Sequence, residues 1–297
     1  MQNFEFYSAK SIEDCLDYLS EKKEHCKVIA GGTDLIPLLR NEDIYPDYVL
    51  NILEVEPLRG ITEEDGEIRI GPTTTFTEMV ESEVLNRTLP LLVLAASCVG
   101  GPQIRNRGTI GGNIATASPA ADVLPAVLAV GGVLEIRSKQ SQSRLLPLAE
   151  AVHAPYSTRL KPDEIITGIR VEKIPPGTRS GFEKLGRRNA MARARMNMSI
   201  VVHTNEEGII SELRIVPGAV MPVARRMEAV ERILLGKKSD SSLVDAAAEA
   251  LAQEILKVTG VRWSTEYKMP VVKNIFRRVL GQLLWDNKKE KGNILAL

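Results

Sequence analysis

Two glycine pairs carry the chemistry that can be read from this chain. Ala30-Gly31-Gly32-Thr33-Asp34 follows a short apolar run, Lys27-Val28-Ile29-Ala30, and precedes Leu35–Arg40. Glycines in a turn between a strand and a helix let backbone N–H groups approach an anion closely, and the helix start adds partial positive charge. A threonine hydroxyl supplies a further donor. Thr109-Ile110-Gly111-Gly112-Asn113 repeats the Gly-Gly core beside a small polar side chain, about 80 residues later. Two such loops can grip opposite sides of one diphosphate, whose charge backbone amides neutralise without a lysine. Taken alone, the first loop reads more readily as a tight turn with no ligand than as a phosphate site. Neither matches GxGxxG or GxxxxGK[ST], so the dinucleotide and P-loop fingerprints are both missing. After the second loop come Thr116, Ser118 and Asp122, polar although they lead an apolar helix. Asp122 is read in two ways, as the N-cap of that helix or as a ligand contact.

The remaining composition narrows the chemistry. Cys15, Cys26 and Cys98 are the only cysteines, with no CxxC, which excludes an internal four-thiolate iron–sulfur cluster and disfavours a disulfide framework. His25, His153 and His203 are isolated and form no metal-ligand spacing. Redox chemistry here therefore needs a bound organic cofactor or a partner. The 38 basic and 38 acidic side chains cancel, leaving no net field to draw nucleic acid or an anionic membrane. No basic-start signal opens the chain, and apolar runs such as Leu89–Ala96 fall short of the about 20 residues that span a bilayer. A cytoplasmic address is the expectation. Arg187, Arg188, Arg193 and Arg195 form a run read either as a solvated face or as a contact for an iron–sulfur partner or an anionic acceptor such as NAD. Without interleaved aromatics it does not read as a nucleic-acid site.

The elements that must position these residues follow from periodicity. A helix is expected from Ser11, as N-cap, to Ser20. Strands are expected at Lys27–Ala30, Val49–Leu53, Ile68–Ile70, Val133–Ser138 and Glu164–Val171, with a turn at Glu63–Gly66. Phe76–Val84, Pro90–Cys98 and Val123–Val130 read as helices. Gly100–Gly108 is too rich in glycine and charge for a regular element. A boundary is expected at Lys173-Ile-Pro-Pro-Gly177. Beyond it lie a hairpin, Ser199–His203 with Ile209–Val216, and helices Val223–Leu235, Leu243–Leu256 and Tyr267–Asp286. Strands and helices mix without regular βαβ alternation, so the fold class is α+β.

VIAGGTDL (28–35) and TIGGNIATASPAADVLP (109–125) resemble the two flavin-binding signatures of the FAD subunits of the xanthine dehydrogenase and carbon monoxide dehydrogenase family. GFEKLGRR (181–188), Pro217-Gly-Ala, Glu231-Arg-Ile-Leu-Leu-Gly236, Glu266-Tyr-Lys and Phe276-Arg-Arg-Val-Leu280 resemble its later segments, so the likeness runs in order over nearly the whole chain. It implies a two-part FAD-binding domain of the vanillyl-alcohol oxidase type at residues 1–174, then a smaller flavoprotein domain at 178–288. By the same resemblance Val28, Ile29, Ala30, Gly31, Gly32, Thr33, Asp34 and Leu35 wrap the adenosine-diphosphate part of FAD. Thr109, Gly111, Gly112 and Asn113 complete the cradle. Asp122 falls on an acidic contact, Ile166 on an apolar one and Lys184 on a basic one. Val99 stands where some members place an aromatic ring. Without the family, Ile166 would be plain sheet core and Lys184 a surface lysine. No histidine lies in either loop, so FAD is expected to be held non-covalently. A molybdenum-cofactor subunit and a [2Fe–2S] subunit are the implied partners, with no catalytic side chain and no metal ligand on this chain. The rival readings are a stand-alone flavin oxidase or reductase and a scaffold subunit without cofactor. A bulky residue at Gly32 or Gly111 is expected to abolish FAD binding while leaving the fold largely intact.

Overall fold

The structure, a computed structural model, describes residues 3–141, 143–188, 190–285 and 293–296. The chain divides into two compact units. The first comprises Met1–Val84, Gly100–Ser118 and Gly131–Glu172; the second comprises Leu85–Val99, Pro119–Val130 and Lys173–Leu297.

In the first unit, strands Glu5–Ser8, Tyr48–Asn51 and Cys26–Ile29 form a parallel sheet with Tyr48–Asn51 in the middle. Helix Ile12–Lys22 covers it, burying Cys15, Leu16 and Leu19 on one stripe against Leu50, Ile52, Val55 and Leu58. Ser11 caps this helix by accepting a hydrogen bond from the Asp14 amide at 3.0 Å. Burial pushes the Cys15 thiol up to about 12 and the Cys26 thiol to about 11, so both behave as small apolar side chains. A second, antiparallel sheet runs in the order Ile61–Glu64, Glu67–Ile70, Ile165–Glu172, Val133–Arg137, Arg144–Pro147. Its first hairpin turns at Asp65 and Gly66, both with positive φ, as a tight two-residue turn requires.

The second unit is built on the sheet Ile210–Gly218, Met196–Thr204, Arg179–Leu185, Asn293–Ala296. Alternation along Met196–Thr204 sends Met196, Met198, Ile200 and Val202 into a core with helices Ser241–Thr259 and Thr265–Trp285. The intervening Asn197 and Ser199 face the other way, where helices Pro90–Ser97 and Val123–Ala129 pack on the sheet. The α+β assignment holds: two of the three larger sheets lack parallel βαβ units, and helices cluster on sheet faces.

Several expected elements shift. Phe76–Val84 breaks at Ser82, whose backbone is extended, into helices Phe76–Glu81 and Glu83–Thr88. The stretch Gly100–Gly108 contains a helical turn, Pro102–Arg105, started by a proline at its first position. Thr109–Asn113 is no free loop: Thr109 is the N-cap and Ile110–Thr116 the helix. Helix Val223–Leu235 shrinks to Glu228–Leu234, because Glu231 is buried and accepts hydrogen bonds from the Arg226 guanidinium and the Ile215 amide, which holds Arg226 outside the helix. Asp286 lies outside the described residues.

Candidate functional site

The first glycine turn leaves the parallel sheet directly. Ile29 is the last, buried residue of its strand, Ala30 is half-buried, and Leu35 opens helix Leu35–Arg40. Gly32 has φ +74°, a conformation that side chains avoid, and Ile29 and Ile36 flank the space where its Cβ would sit. Among the described residues no acceptor meets the N–H groups of Gly31, Gly32, Thr33 and Asp34, and no partner meets the Thr33 hydroxyl. Val28, Ile36 and Leu38 leave aliphatic surface exposed around this turn, at 38%, 37% and 39%. The turn thus offers a row of open amides bordered by apolar side chains.

The chain leading into the second glycine pair lies against the first pair. A Cβ on Gly31 would overlap the Arg107 carbonyl oxygen and come within 3.2 Å of the Gly108 Cα. The Thr116 hydroxyl donates to Asp34 Oδ2 at 3.1 Å, closing the gap from the other end of helix Ile110–Thr116. The two segments, 82 residues apart at that hydrogen bond, therefore share one locus within the first unit.

Their amides are not equivalent. Ile110 N–H donates to the Thr74 carbonyl at 3.1 Å, Gly111 N–H to the Pro72 carbonyl at 2.8 Å and Asn113 N–H to the Thr109 carbonyl at 3.0 Å. Gly112 N–H is taken by the Thr109 hydroxyl at 3.1 Å. The expectation that amides of both loops neutralise an anion is corrected: those of 110–113 are consumed by the fold. What this segment offers instead is the Asn113 carboxamide oxygen, buried and without a hydrogen-bond partner, and the bare Gly112 Cα, where an added Cβ would meet only Thr109 Oγ1, at 3.0 Å. Gly111 is a packing glycine, its absent Cβ lying 2.5 Å from the Pro72 ring and 2.7 Å from the Pro72 carbonyl oxygen. A bulky residue there strikes the fold itself, contrary to the sequence expectation; at Gly32 the obstacle is backbone conformation.

Sequence reasoning missed the support beneath this segment. Gly71-Pro-Thr-Thr-Thr75 connects a strand to a helix with its three threonines buried. Thr73 donates to the Leu58 carbonyl, Thr74 to the Gly60 carbonyl, and Thr75 forms a capping box with Glu78 and bridges to Thr109. Three successive β-branched hydroxyl residues where one cap suffices were the available signal.

In the second unit Asp122 and Lys184 meet each other. Lys184 Nζ lies 2.5 Å from Asp122 Oδ2 and donates to the Cys98 carbonyl at 2.8 Å; both side chains are almost wholly buried. Asn197, also missed from sequence, donates to Asp122 Oδ1 at 3.1 Å and to the Ala121 carbonyl at 3.0 Å. Burial pushes the Asp122 carboxyl up, while the Lys184 ammonium and the Asn197 amide pull it down. Asp122 stands at the N-cap position yet caps nothing with its side chain, so the capping alternative falls. Lys184 is no surface lysine. Val99, half-buried, follows the carbonyl that Lys184 holds. Ile166 is buried in the antiparallel sheet opposite Ile136, in the position of core.

These residues fit a diphosphate-bearing cofactor such as FAD: open amides, a glycine that lets backbone approach, and a buried acceptor lacking a donor. Among the described residues no group of three or more His, Cys, Asp or Glu side chains is arranged to hold a metal ion. No helix of the described residues is long and apolar enough to cross a membrane.

Comparison with known proteins agrees with this geometry. The family profile described as FAD binding domain in molybdopterin dehydrogenase matches residues 2–173, and that of the CO dehydrogenase flavoprotein C-terminal domain matches 181–283. The chain is 32% identical over 282 residues to the 6-hydroxypseudooxynicotine dehydrogenase complex subunit alpha of Paenarthrobacter nicotinovorans, covering 95% of each. It is 30% identical to the carbon monoxide dehydrogenase medium chain of Hydrogenophaga pseudoflava, covering 94% of this chain and 96% of that one. The solved structure of carbon monoxide dehydrogenase from Hydrogenophaga pseudoflava superimposes with a TM-score of 0.89 at 30% identity, over 96% of this chain and 98% of that one. The chain belongs to the family of FAD-binding domains of molybdopterin dehydrogenases, as an FAD-binding oxidoreductase subunit of the carbon monoxide dehydrogenase and xanthine dehydrogenase type.

Proposed function

We propose that this chain is the electron-transfer subunit of a molybdenum hydroxylase, taking electrons from a [2Fe–2S] partner and passing them through FAD to NAD or another acceptor. The substrate is oxidised on a separate molybdenum-cofactor subunit. The 6-hydroxypseudooxynicotine dehydrogenase relative is named as a subunit of a complex and the nicotine 6-hydroxylase relative as a medium subunit, which supports partners for this chain. Bound FAD supplies redox chemistry in one- and two-electron steps; the protein binds it, orients it and limits access to it.

The observation that carries this reading is the joining of the turn with four open amides, Gly31 to Asp34, to the helix that bears the unpartnered Asn113 oxygen, through the Thr116–Asp34 hydrogen bond. In this assignment Gly31–Asp34 amides and the Thr33 hydroxyl hold the diphosphate, Gly112 admits it closely, and Asn113 accepts a hydrogen bond from a hydroxyl or N–H of the cofactor. Val28 supplies apolar contact beside it. Within the second unit, Asp122 and Lys184 hold each other's charge and anchor the Cys98–Val99 segment.

The test is Asn113→Leu, which keeps side-chain size and deletes the carboxamide. A buried acceptor with no partner costs the apoprotein stability, so its removal leaves the apo melting temperature unchanged or higher. FAD affinity, followed by titration of the apoprotein, falls about 10- to 100-fold. Equal FAD affinity in wild type and variant, or no flavin uptake by the wild type, refutes the assignment.

A further inference from the structure

The second unit contains a cleft of about 410 Å³, within the size range of small-ligand sites; its Pro119 and Ala120 belong to the stretch 109–125 that carries the flavin signature, but its charged and aromatic lining has no part in the flavin assignment. Arg187, Arg195 and Lys268 line it together with Trp263, Ser264 and Tyr267, and no carboxylate does. Among the described residues none of the three cations has an ion-pair partner. The arginine run is thereby sorted: Arg188 folds back on the carbonyls of Ala190 and Met191, Arg193 is exposed, and Arg187 and Arg195 reach the cleft. Lys268 is steadied by the Ala219 carbonyl at 3.3 Å. Its ammonium is held below the usual lysine range by burial and by the charges of Arg195 and Arg262, as expected of a positive field with nothing opposing it.

The aromatic side is equally distinct. Trp263 is 94% exposed and Tyr267 48%, a costly placement for large apolar rings unless something covers them. The Arg195 guanidinium lies 5.6 Å from the Tyr267 ring centre, which fixes its planar fork while leaving its N–H groups to an outside acceptor.

We infer that this cleft is a second ligand site, for a polyanion carrying a planar ring, with nucleoside diphosphates as the matching class. The phosphates sit among Arg187, Arg195 and Lys268, and the ring stacks on Trp263 or Tyr267. This deepens the reading above and rests on its nucleotide acceptor, to which it gives a place apart from the Gly31–Asp34 turn.

The probe is ADP, titrated into FAD-saturated protein by calorimetry and by quenching of tryptophan fluorescence. Wild type is expected to bind ADP, with a quench that Trp263→Phe abolishes. Arg195→Gln and Lys268→Gln each weaken ADP about tenfold or more while FAD occupancy, read from visible absorbance, stays at the wild-type level. Adenosine and inorganic pyrophosphate bind more weakly than ADP. The inference is overturned by no ADP binding, by equal affinity in both variants, by pyrophosphate binding as well as ADP, or by loss of FAD in the variants, which would give the cleft to the flavin. A wild type that takes up no FAD refutes the flavin reading alone. The cleft is then scored on ADP, with Asn113→Leu as the control for binding in the first unit.

Discussion

Gly31-Gly32 and Gly111-Gly112 look interchangeable in the sequence, each a glycine pair followed by a small polar side chain, yet the fold treats their backbones in opposite ways. Around Gly31-Gly32 the amides stay open among the described residues, Gly32 serves a sharp turn and Gly31 lets Arg107 and Gly108 approach. Around Gly111-Gly112 every amide from Ile110 to Asn113 is committed, Gly111 exists to let Pro72 approach, and the polar offer comes from a side chain. The difference lies in what stands behind each segment. The first follows a strand end and, among the described residues, no acceptor meets its amides, whereas the second enters a helix pressed onto Gly71–Thr75. A glycine motif names backbone freedom; the neighbours decide whether that freedom goes to a ligand or to packing.

That contrast can be broken by substitution. Gly31→Ala has the largest expected effect, because its Cβ overlaps a carbonyl oxygen that cannot retreat without moving Arg107 and Gly108. Loss of more than about 3 kcal/mol of stability is expected, together with colourless protein, read by chemical denaturation and visible absorbance. A stable yellow Gly31→Ala protein would show that the two segments do not abut. Gly111→Ala comes next, at about 2–3 kcal/mol, with flavin loss only in proportion to unfolding. Full stability with lost flavin would turn Gly111 into a ligand glycine after all.

The smallest effect concerns the support. Burial pushes the Glu78 carboxyl up, but the Thr75 amide and hydroxyl and the Arg59 guanidinium outweigh it and hold the group below its ordinary range. A depressed carboxylate adds stability above its unfolded pKa and loses it as pH falls through the folded value. Glu78→Gln should therefore cost about 0.5–1 kcal/mol at pH 7 and less at pH 3, compared by urea titration at both pH values. An equal cost at both would remove the charge from the argument.

Much of this was legible because local rules were sufficient. The Ser11 cap, the stripe Cys15, Leu16, Leu19 and the Glu63–Gly66 turn need only their own neighbours. So does the turn at Gly31-Gly32, where strand, glycines and helix follow one another directly. What was hidden depends on residues far along the chain. Nothing near Asp122 announces that Lys184 and Asn197 will take both of its oxygens, 62 and 75 positions later. Nothing near Gly111 announces Pro72. The Val223–Leu235 reading failed for the same reason: Glu231 answers to Ile215 and Arg226, a tertiary demand that overrides helical periodicity.

The helix Val123–Ala129 has every residue buried, and the strands it packs on, Met196–Thr204 and Ile210–Gly218, come much later in the chain. At the usual pace of translation that interval lasts several seconds, roughly 4–15 s at 5–20 residues per second. Throughout it the growing polypeptide holds an oily segment ready with only helix Pro90–Ser97 made to receive it and the sheet still to come. Ribosome-associated chaperones would find their handle there, and slowing synthesis between residues 130 and 200 should raise aggregation more than slowing it anywhere in the last third.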